Sequence, residues 1–154
     1  MRRSARPAHP DAMSTNTITD TAPAHLAAVQ RLYCAYGRGD VAAVLAELAD
    51  DVDWAAEAAS TAVPWYGPHV GKHAVPRFFE AIASNVDISE FDVVGMTSNE
   101  TDVVTTVHWT FTVKATGKTA SMYMQHWWRF ADGKIVFFRG SEDSEQSVAA
   151  FRAG

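Results

Sequence analysis

The feature that most constrains this chain is a change in the spacing of its apolar residues at Val86. Before Val86, apolar residues recur every three or four positions, which is the period of an amphipathic helix. After it, they alternate with polar residues, which is the period of a strand with one buried face. A chain that places helices first and an antiparallel series of strands afterwards is predicted to fold as α+β.

The helical half predicts three helices, of which the first begins at Pro23, the second is capped by Asp40 and the third precedes Val86. Residues 55–71 contain two prolines, two glycines and an exposed-looking Trp65-Tyr66 pair, and are therefore predicted to form a long loop. The predicted elements are helices over 23–37, 41–48 and 72–85, a short strand over 52–54, and strands over 88–96, 103–114, 119–130 and 134–142.

The hairpin between the predicted strands 103–114 and 119–130 decides which side chains share a face. A two-residue turn at Thr116-Gly117 would place Val107 opposite His126 and His108 opposite Gln125. One face is then apolar apart from His126, and it is expected to cover the helices and line any cavity. His108 falls on the polar face, where a surface or interface position is expected. The apolar face comprises Val107, Trp109, Phe111, Val113, Ala120, Met122, Met124, His126 and Trp128.

His126 is the lone titratable group of that apolar face, and two interpretations stay open. It is a general acid, base or hydrogen-bond donor aimed into a pocket, because burial shifts the pKa of a group that already titrates near neutrality. Alternatively, it is a core histidine whose hydrogen bonds are satisfied by a backbone carbonyl or a neighbouring tyrosine.

The last hairpin has two possible registers. A three-residue loop over 131–133 places Val136, Phe138, Gly140 and Glu142 on the His126 face. A two-residue turn at Asp132-Gly133 would place Arg139 and Ser141 there instead. The first register is preferred because it keeps Arg139 off an apolar surface. Glu142 then approaches the pocket mouth, and Asp143 is expected to begin an exposed C-terminal tail.

Composition limits the partners and the compartment. A net charge of −5, with Lys and Arg clustered only in the first six residues, excludes nucleic acid as a main partner. No apolar run is long enough for a membrane span, and the single Cys34 fits a reducing cytoplasm. Residues 1–22 are rich in polar residues and proline and are expected to be a disordered tail. No spacing of His108, His126 and Glu142 defines a metal site, and no cofactor is expected.

Four segments together resemble the SnoaL-like family, within the nuclear transport factor two-like group. The resemblance covers about residues 23–151 and implies a cone of curved antiparallel sheet, an α+β barrel wrapped around three helices, with an internal pocket for a small hydrophobic molecule. It also implies a homodimer that pairs through the outer sheet face. The segments are L-Y-C-A-Y-G-R-G-D (32–40), A-D-D-V-D-W (49–54), G-K-H-A-V-P-R-F-F (71–79) and H-W-W-R-F-A-D-G-K-I (126–135).

The family includes ketosteroid isomerases, polyketide cyclases and epoxide hydrolases, and membership does not choose among them. By resemblance to ketosteroid isomerase, the base position falls at about Ala56 beside Glu57, and the oxyanion tyrosine position falls beside Tyr33. The position of the oxyanion carboxylic acid coincides with His126. Many relatives have R-E-x-x-D-T at the end of the last strand, and this chain has glycine, Gly140, in place of that glutamate.

Two functions remain open from the sequence. The first is a cofactor-independent isomerase, cyclase or lyase that applies acid/base chemistry to a hydrophobic cyclic or polyketide-like substrate. The second is a non-catalytic domain that binds a hydrophobic ligand. The candidate catalytic residues are His126, Glu57 and Glu142. The candidate substrate-binding residues are Tyr33, Trp54, Trp65, Trp109, Met122, Met124 and Phe138.

Overall fold

The computed structural model describes residues 14–154, and its helices precede most of its strands, as the change of apolar period predicts. A short 3-10 turn over Lys72–Ala74 leads into the third helix. In chain order the elements are α1 (Ser14–Gly37), α2 (Val41–Ala46), β1 (Leu48–Ala56), β2 (Gly67–Val70), α3 (Val75–Asn85), β3 (Val86–Ser98), β4 (Asp102–Val113), β5 (Thr119–Ala131), β6 (Lys134–Ser141) and α4 (Ser144–Phe151).

All six strands belong to one curved sheet in the order β2-β1-β6-β5-β4-β3. Strands β1 and β6 are parallel, and every other neighbouring pair is antiparallel. Strands β2 and β3 form its two edges, so the sheet wraps around the helices without closing. The predicted α+β class and the wrapped sheet are confirmed, and the barrel is an open one.

The two faces of the sheet divide as the alternation in the sequence predicts. On β4, Trp109 is 2% exposed, whereas Tyr123 on the neighbouring β5 is 62% exposed and points to the other side. Val29 and Leu32 of α1 are buried in the same cluster as the inner face of the sheet. The apolar face therefore covers the helices, and the polar face lies outside.

The register of the β4–β5 hairpin differs from the prediction by two residues. Val107 pairs with Met124, and His126 pairs with Thr105, because the connection is a five-residue loop over 114–118 rather than a two-residue turn. His108 consequently lies opposite Tyr123, not Gln125. A shift of two residues leaves each side chain on its face, so the predicted faces survive a wrong turn.

The last hairpin combines the two predicted registers. Its turn is the two-residue Asp132-Gly133 form, in which both residues have positive φ, 49° and 76°. A shift in register between Arg129 and Phe130 then restores the preferred faces, with Phe138 opposite Trp128 and Gly140 opposite His126. Ile135, not Val136, is the buried residue at the start of β6. The prediction of Val136 on the inner face is wrong, because the register shift between Arg129 and Phe130 was not predicted.

Three other predictions change. Helix α1 begins nine residues before Pro23, where the sequence has no apolar stripe to mark a start. The predicted loop over 55–71 contains edge strand β2, which pairs with β1 and tolerates Pro68 because an edge strand has free N–H positions. The predicted exposed tail after Asp143 is helix α4. The predicted disordered tail over 1–22 lies for the most part outside the described residues and stays a prediction.

Candidate functional site

A cavity lies between the inner sheet face and helices α1 and α3. The empty space within it, including its open mouth, is about 600 Å³. Aromatic rings from both layers form most of its wall. The lining residues are Leu32, Tyr33, Tyr36, Trp54, Ala56, Trp65, Phe78, Phe79, Ile82, Phe91, Trp109, Met124, His126, Trp128, Phe138, Gly140, Ser141 and Glu142.

His126 projects into this cavity from β5 and is held by a tyrosine from α1. The Tyr33 hydroxyl lies 2.6 Å from Nδ1 of His126. The same hydroxyl lies 2.6 Å from Oγ1 of Thr105, a fully buried residue of β4 directly opposite His126. Tyr33 thus receives hydrogen-bond partners from both strands, which fixes the imidazole ring against the sheet.

Burial keeps the imidazole of His126 and the phenol of Tyr33 neutral. It lowers the pKa of His126 to about 3, because the surrounding rings remove the water that would solvate a charged imidazolium. It also raises the pKa of Tyr33, an effect that the hydrogen bond with Thr105 opposes. At neutral pH the cavity therefore contains a neutral imidazole beside a neutral phenol.

A carboxyl group occupies another part of the cavity wall. Oε1 of Glu142 accepts a hydrogen bond from the indole N–H of Trp65 at 2.9 Å, and Oε2 accepts one from the hydroxyl of Ser147 on α4. Burial raises the pKa of Glu142, although the hydrogen bonds from Ser147 and Trp65 oppose this. Glu142 therefore takes up a proton more readily than a carboxylate in water.

Stacked and edge-to-face rings form the part of the cavity wall around His126. The Trp54 ring stacks on Phe138 with a centroid distance of 4.0 Å, and Phe138 lies 5.2 Å from the His126 ring. Trp128 meets the His126 ring edge-on at 5.9 Å. Such contacts restrict the rotamers of the imidazole and leave its position to be set by packing.

Gly140 lies beside the imidazole and leaves room for the ring of Phe138. It pairs with His126 across β5 and β6, and a Cβ at this position would lie 3.3 Å from Cζ of Phe138 and 3.6 Å from Cδ2 of His126. The first distance is tight and the second is an ordinary van der Waals contact, so a side chain here would press on Phe138 and not on His126.

Most of the predicted site residues meet at the cavity. Glu57 does not, because its side chain is 76% exposed and lies near Arg139, with 3.7 Å between Oε1 and Nε. Met122 is buried beyond the cavity wall, with its sulfur 3.8 Å from the Ser147 hydroxyl. Trp65, expected to be exposed, is 1% exposed. Those that line the cavity are His126, Glu142, Tyr33, Trp54, Trp65, Trp109, Met124 and Phe138.

Sequence reasoning missed two hydroxyl groups of the site. Thr105 has the same parity on β4 as Val107, so extending the apolar face by one more inward position would have found it. Ser147 gave no such signal because the helix that carries it was not predicted. The Thr105 hydroxyl reaches the imidazole of His126 through Tyr33, and the Ser147 hydroxyl contacts Glu142 directly.

Across residues 14–154, no group of three or more His, Cys, Asp or Glu side chains has the arrangement of a metal site. None of the helices in this range is both long and apolar enough to cross a membrane.

Comparisons with known proteins identify the family. A solved NTF2-like protein of unknown function from Burkholderia pseudomallei K96243 has a TM-score of 0.77 at 23% identity, covering 84% of this chain and 98% of that one. TerC co-crystallised with polyporic acid has a TM-score of 0.75 at 17% identity, with 83% and 98% covered. A putative polyketide cyclase from Xanthomonas campestris pv. campestris has a TM-score of 0.67 at 18% identity, with 86% and 99% covered.

No curated protein sequence matches the chain. The model of the SnoaL-like domain matches residues 29–138, which is most of the chain and includes both Tyr33 and His126. The chain therefore belongs to the SnoaL-like domain family, as the four sequence segments predict.

Proposed function

We propose that this protein is a cofactor-independent isomerase, cyclase or lyase that transfers a proton within a hydrophobic cyclic or polyketide-like substrate. The observation that carries the proposal is the neutral imidazole of His126, held by the buried Tyr33 at 2.6 Å inside an aromatic cavity. An imidazole in this state can exchange a proton or a hydrogen bond with a bound molecule at Nε2.

Glu142 is the second proton-carrying group of the proposed reaction. Its raised pKa brings the carboxyl closer to neutrality, and general acids and bases work best when their pKa lies near the working pH. One group removes a proton from the substrate, and the other delivers a proton to a different atom. Such a transfer shifts a double bond or eliminates a leaving group without a change of oxidation state.

The substrate class follows from the wall of the cavity. Its lining is almost wholly apolar and aromatic, so binding energy comes from burying rings or long apolar segments. The relatives support this class, because one was crystallised with polyporic acid and another is a putative polyketide cyclase. Their identity to this chain is below one fifth, so the cavity residues are the stronger argument.

A second function is non-catalytic binding of a hydrophobic ligand. It is favoured by the state of Glu142, both of whose oxygens already accept hydrogen bonds from protein groups. A carboxylate engaged in this way is less available to a substrate. In this function His126 orients the ligand through a hydrogen bond and transfers nothing.

Native mass spectrometry of the purified protein separates these functions. The proposed enzyme carries, or binds on addition, a cyclic or polyketide-like molecule that it converts to an isomer or an elimination product. A molecule that is bound and then released unchanged after prolonged incubation would contradict the enzymatic proposal and support the binding domain.

We propose further that two copies pair through the outer sheet face, and that the protein works in the cytoplasm. The outer face carries exposed apolar side chains at neighbouring positions, since Val104 is 41% and its strand partner Trp127 is 39% exposed. The exposed, unpaired Cys34 supports a reducing compartment.

A further inference from the structure

We infer that Thr105 is a positioning residue that fixes the tautomer of His126, so that the imidazole keeps its proton on Nδ1 and presents a bare Nε2 lone pair to the cavity. The inference about proton transfer rests on the proposed function, whereas the tautomer itself does not depend on it. Thr105 is one of two fully buried polar residues in the described part of the chain.

Two hydroxyl groups, a ring nitrogen and a backbone carbonyl form a closed series of contacts. Nδ1 of His126 lies 2.6 Å from the Tyr33 oxygen, which lies 2.6 Å from Oγ1 of Thr105. The Thr105 hydroxyl in turn lies 3.5 Å from the backbone carbonyl oxygen of His126, which can only accept. This series of contacts begins at Nδ1 of His126 and ends at the backbone carbonyl of the same residue.

The protons of the Tyr33–His126 and Tyr33–Thr105 hydrogen bonds can be placed in two ways, and each way satisfies both bonds. In the first, Thr105 donates to Tyr33 and Tyr33 donates to Nδ1, which leaves the histidine proton on Nε2. In the second, Nδ1 donates to Tyr33, Tyr33 donates to Thr105, and Thr105 donates to the carbonyl of His126. The second direction alone uses the third, longer contact.

The surroundings of Nε2 favour the second direction. Among the described residues no acceptor lies within hydrogen-bond distance of Nε2, and the nearby wall consists of the Trp128 and Phe138 rings. A proton on Nε2 would therefore find no acceptor among these protein groups. In the second direction every hydrogen of the three side chains has an acceptor.

The consequence is that His126 meets its substrate as a proton acceptor. A substrate O–H or acidic C–H passes its proton to Nε2 during the reaction, and the electron pair stays on the substrate. Because burial lowers the pKa of His126 to about 3, the imidazolium does not accumulate, and the same proton returns to a different atom of the substrate. Nδ1 donates to Tyr33 throughout, and the hydroxyl of Tyr33 keeps its proton because burial raises its pKa.

The test is the nitrogen NMR spectrum of the ligand-free protein labelled with ¹⁵N-histidine, since protonated and bare ring nitrogens differ widely in chemical shift. The His126 signals are identified by their loss in His126→Ala. We expect the wild type to be protonated on Nδ1. Thr105→Val, which keeps the shape but removes the hydroxyl, should move the proton to Nε2, because Tyr33 is then free to donate to Nδ1. Thr105→Ser should retain the wild-type tautomer.

A wild-type spectrum with the proton on Nε2 would overturn the inference, as would a folded Thr105→Val protein with an unchanged tautomer. If Thr105→Val does not fold, Tyr33→Phe serves in its place, because it removes the acceptor of the Nδ1 proton. If the Tyr33→Phe protein keeps its proton on Nδ1, the hydrogen bonds from Thr105 through Tyr33 do not fix the tautomer, and the inference is equally overturned. Since the spectrum requires no substrate, its result is separate from whether the protein is an enzyme.

Discussion

At the scale of single residues, the charge state of His126 follows from what surrounds it. Rings occupy the space that water would need, and its only side-chain hydrogen bond among the described residues is to a hydroxyl. Within the part of the chain that the structure describes, no carboxylate contacts the imidazole to stabilise a positive charge, so the neutral form dominates. A histidine in this setting is uncharged when a molecule binds, and it holds a proton only briefly once it has accepted one.

This environment predicts a pH dependence of stability. The folded pKa of about 3 lies below the ordinary value of 6.5, so between these values the unfolded chain binds a proton that the folded chain does not. The contribution of neutral His126 to the free energy of unfolding is therefore full above pH 6.5 and falls as the pH falls towards 3. From about pH 7.5 to about pH 4.5 the wild type should lose about 2 to 3 kcal/mol more than His126→Gln.

Urea unfolding of both proteins at the two pH values measures the difference. Comparison with His126→Gln removes the contributions of Glu142 and the other carboxyl groups, which are common to both proteins. His73→Gln, at an exposed position of the 3-10 turn before α3, is the control and should follow the wild type, because His73 has no hydrogen bond or ion pair among the described residues. Equal losses in the wild type and His126→Gln would show that His126 is solvated in the folded state.

Residue parity explains why part of the site could be predicted from the sequence. The predicted face of His126 is correct although the predicted turn is wrong, because the error in register was an even number of residues and an odd one would have reversed the faces. Glu57 was chosen by its position in the resemblance, and its direction at the end of β1 could not be predicted. Ser147 depends on a helix whose sequence has no apolar stripe.

At the scale of elements, helix α4 connects the end of β6 to the cavity. Trp65 lies against Phe151 of this helix, and Ser147 donates to Glu142. The hydroxyl of Thr116 and the amine of Lys118, in the loop between β4 and β5, donate to backbone carbonyls near its end. Helix α4 therefore positions the carboxyl group of Glu142 through Ser147. From its short polar sequence this segment was predicted to be an exposed tail.

The start of α4 gives a prediction for this element. The side chain of Asp143 accepts a hydrogen bond from the backbone N–H of Gln146 at 3.2 Å, which makes it the N-cap. Asp143→Ala should lower the free energy of unfolding by about 1 kcal/mol, while Asp143→Asn, which retains an acceptor, should lower it by less. Thermal or urea unfolding measures both variants. An alanine variant as stable as the wild type would show that packing of Phe151 alone anchors the helix.

At the scale of the whole molecule, the sheet gives its two faces different tasks. Its inner face and the helices enclose the cavity, and its outer face presents exposed Tyr123 and Trp127. The outer face also carries polar pairs, such as the hydrogen bond of Trp127 and the ion pair of Arg129 with Asp102. Exposed aromatic rings surrounded by polar groups are typical of protein–protein interfaces that are also stable when exposed to solvent.

Pairing through this face is tested by the mass of the protein in solution. Light scattering on a gel-filtration column should give twice the chain mass for the wild type. Tyr123→Glu and Trp127→Glu should shift it towards the single-chain mass, because each places a charge within the proposed interface. Val70→Glu, at an exposed position of edge strand β2, is the control and should stay paired. A wild type with the mass of one chain would contradict the pairing.

The most direct test of the central claim is the turnover of His126→Ala on the molecule that mass spectrometry identifies. Turnover is measured per folded molecule on the same sample whose unfolding is recorded, with His108→Ala as the control. We expect a loss of about a hundred- to ten-thousand-fold in His126→Ala with the fold intact, and wild-type turnover in His108→Ala. Wild-type turnover in folded His126→Ala would contradict the account, because the histidine would then be a structural part of the wall.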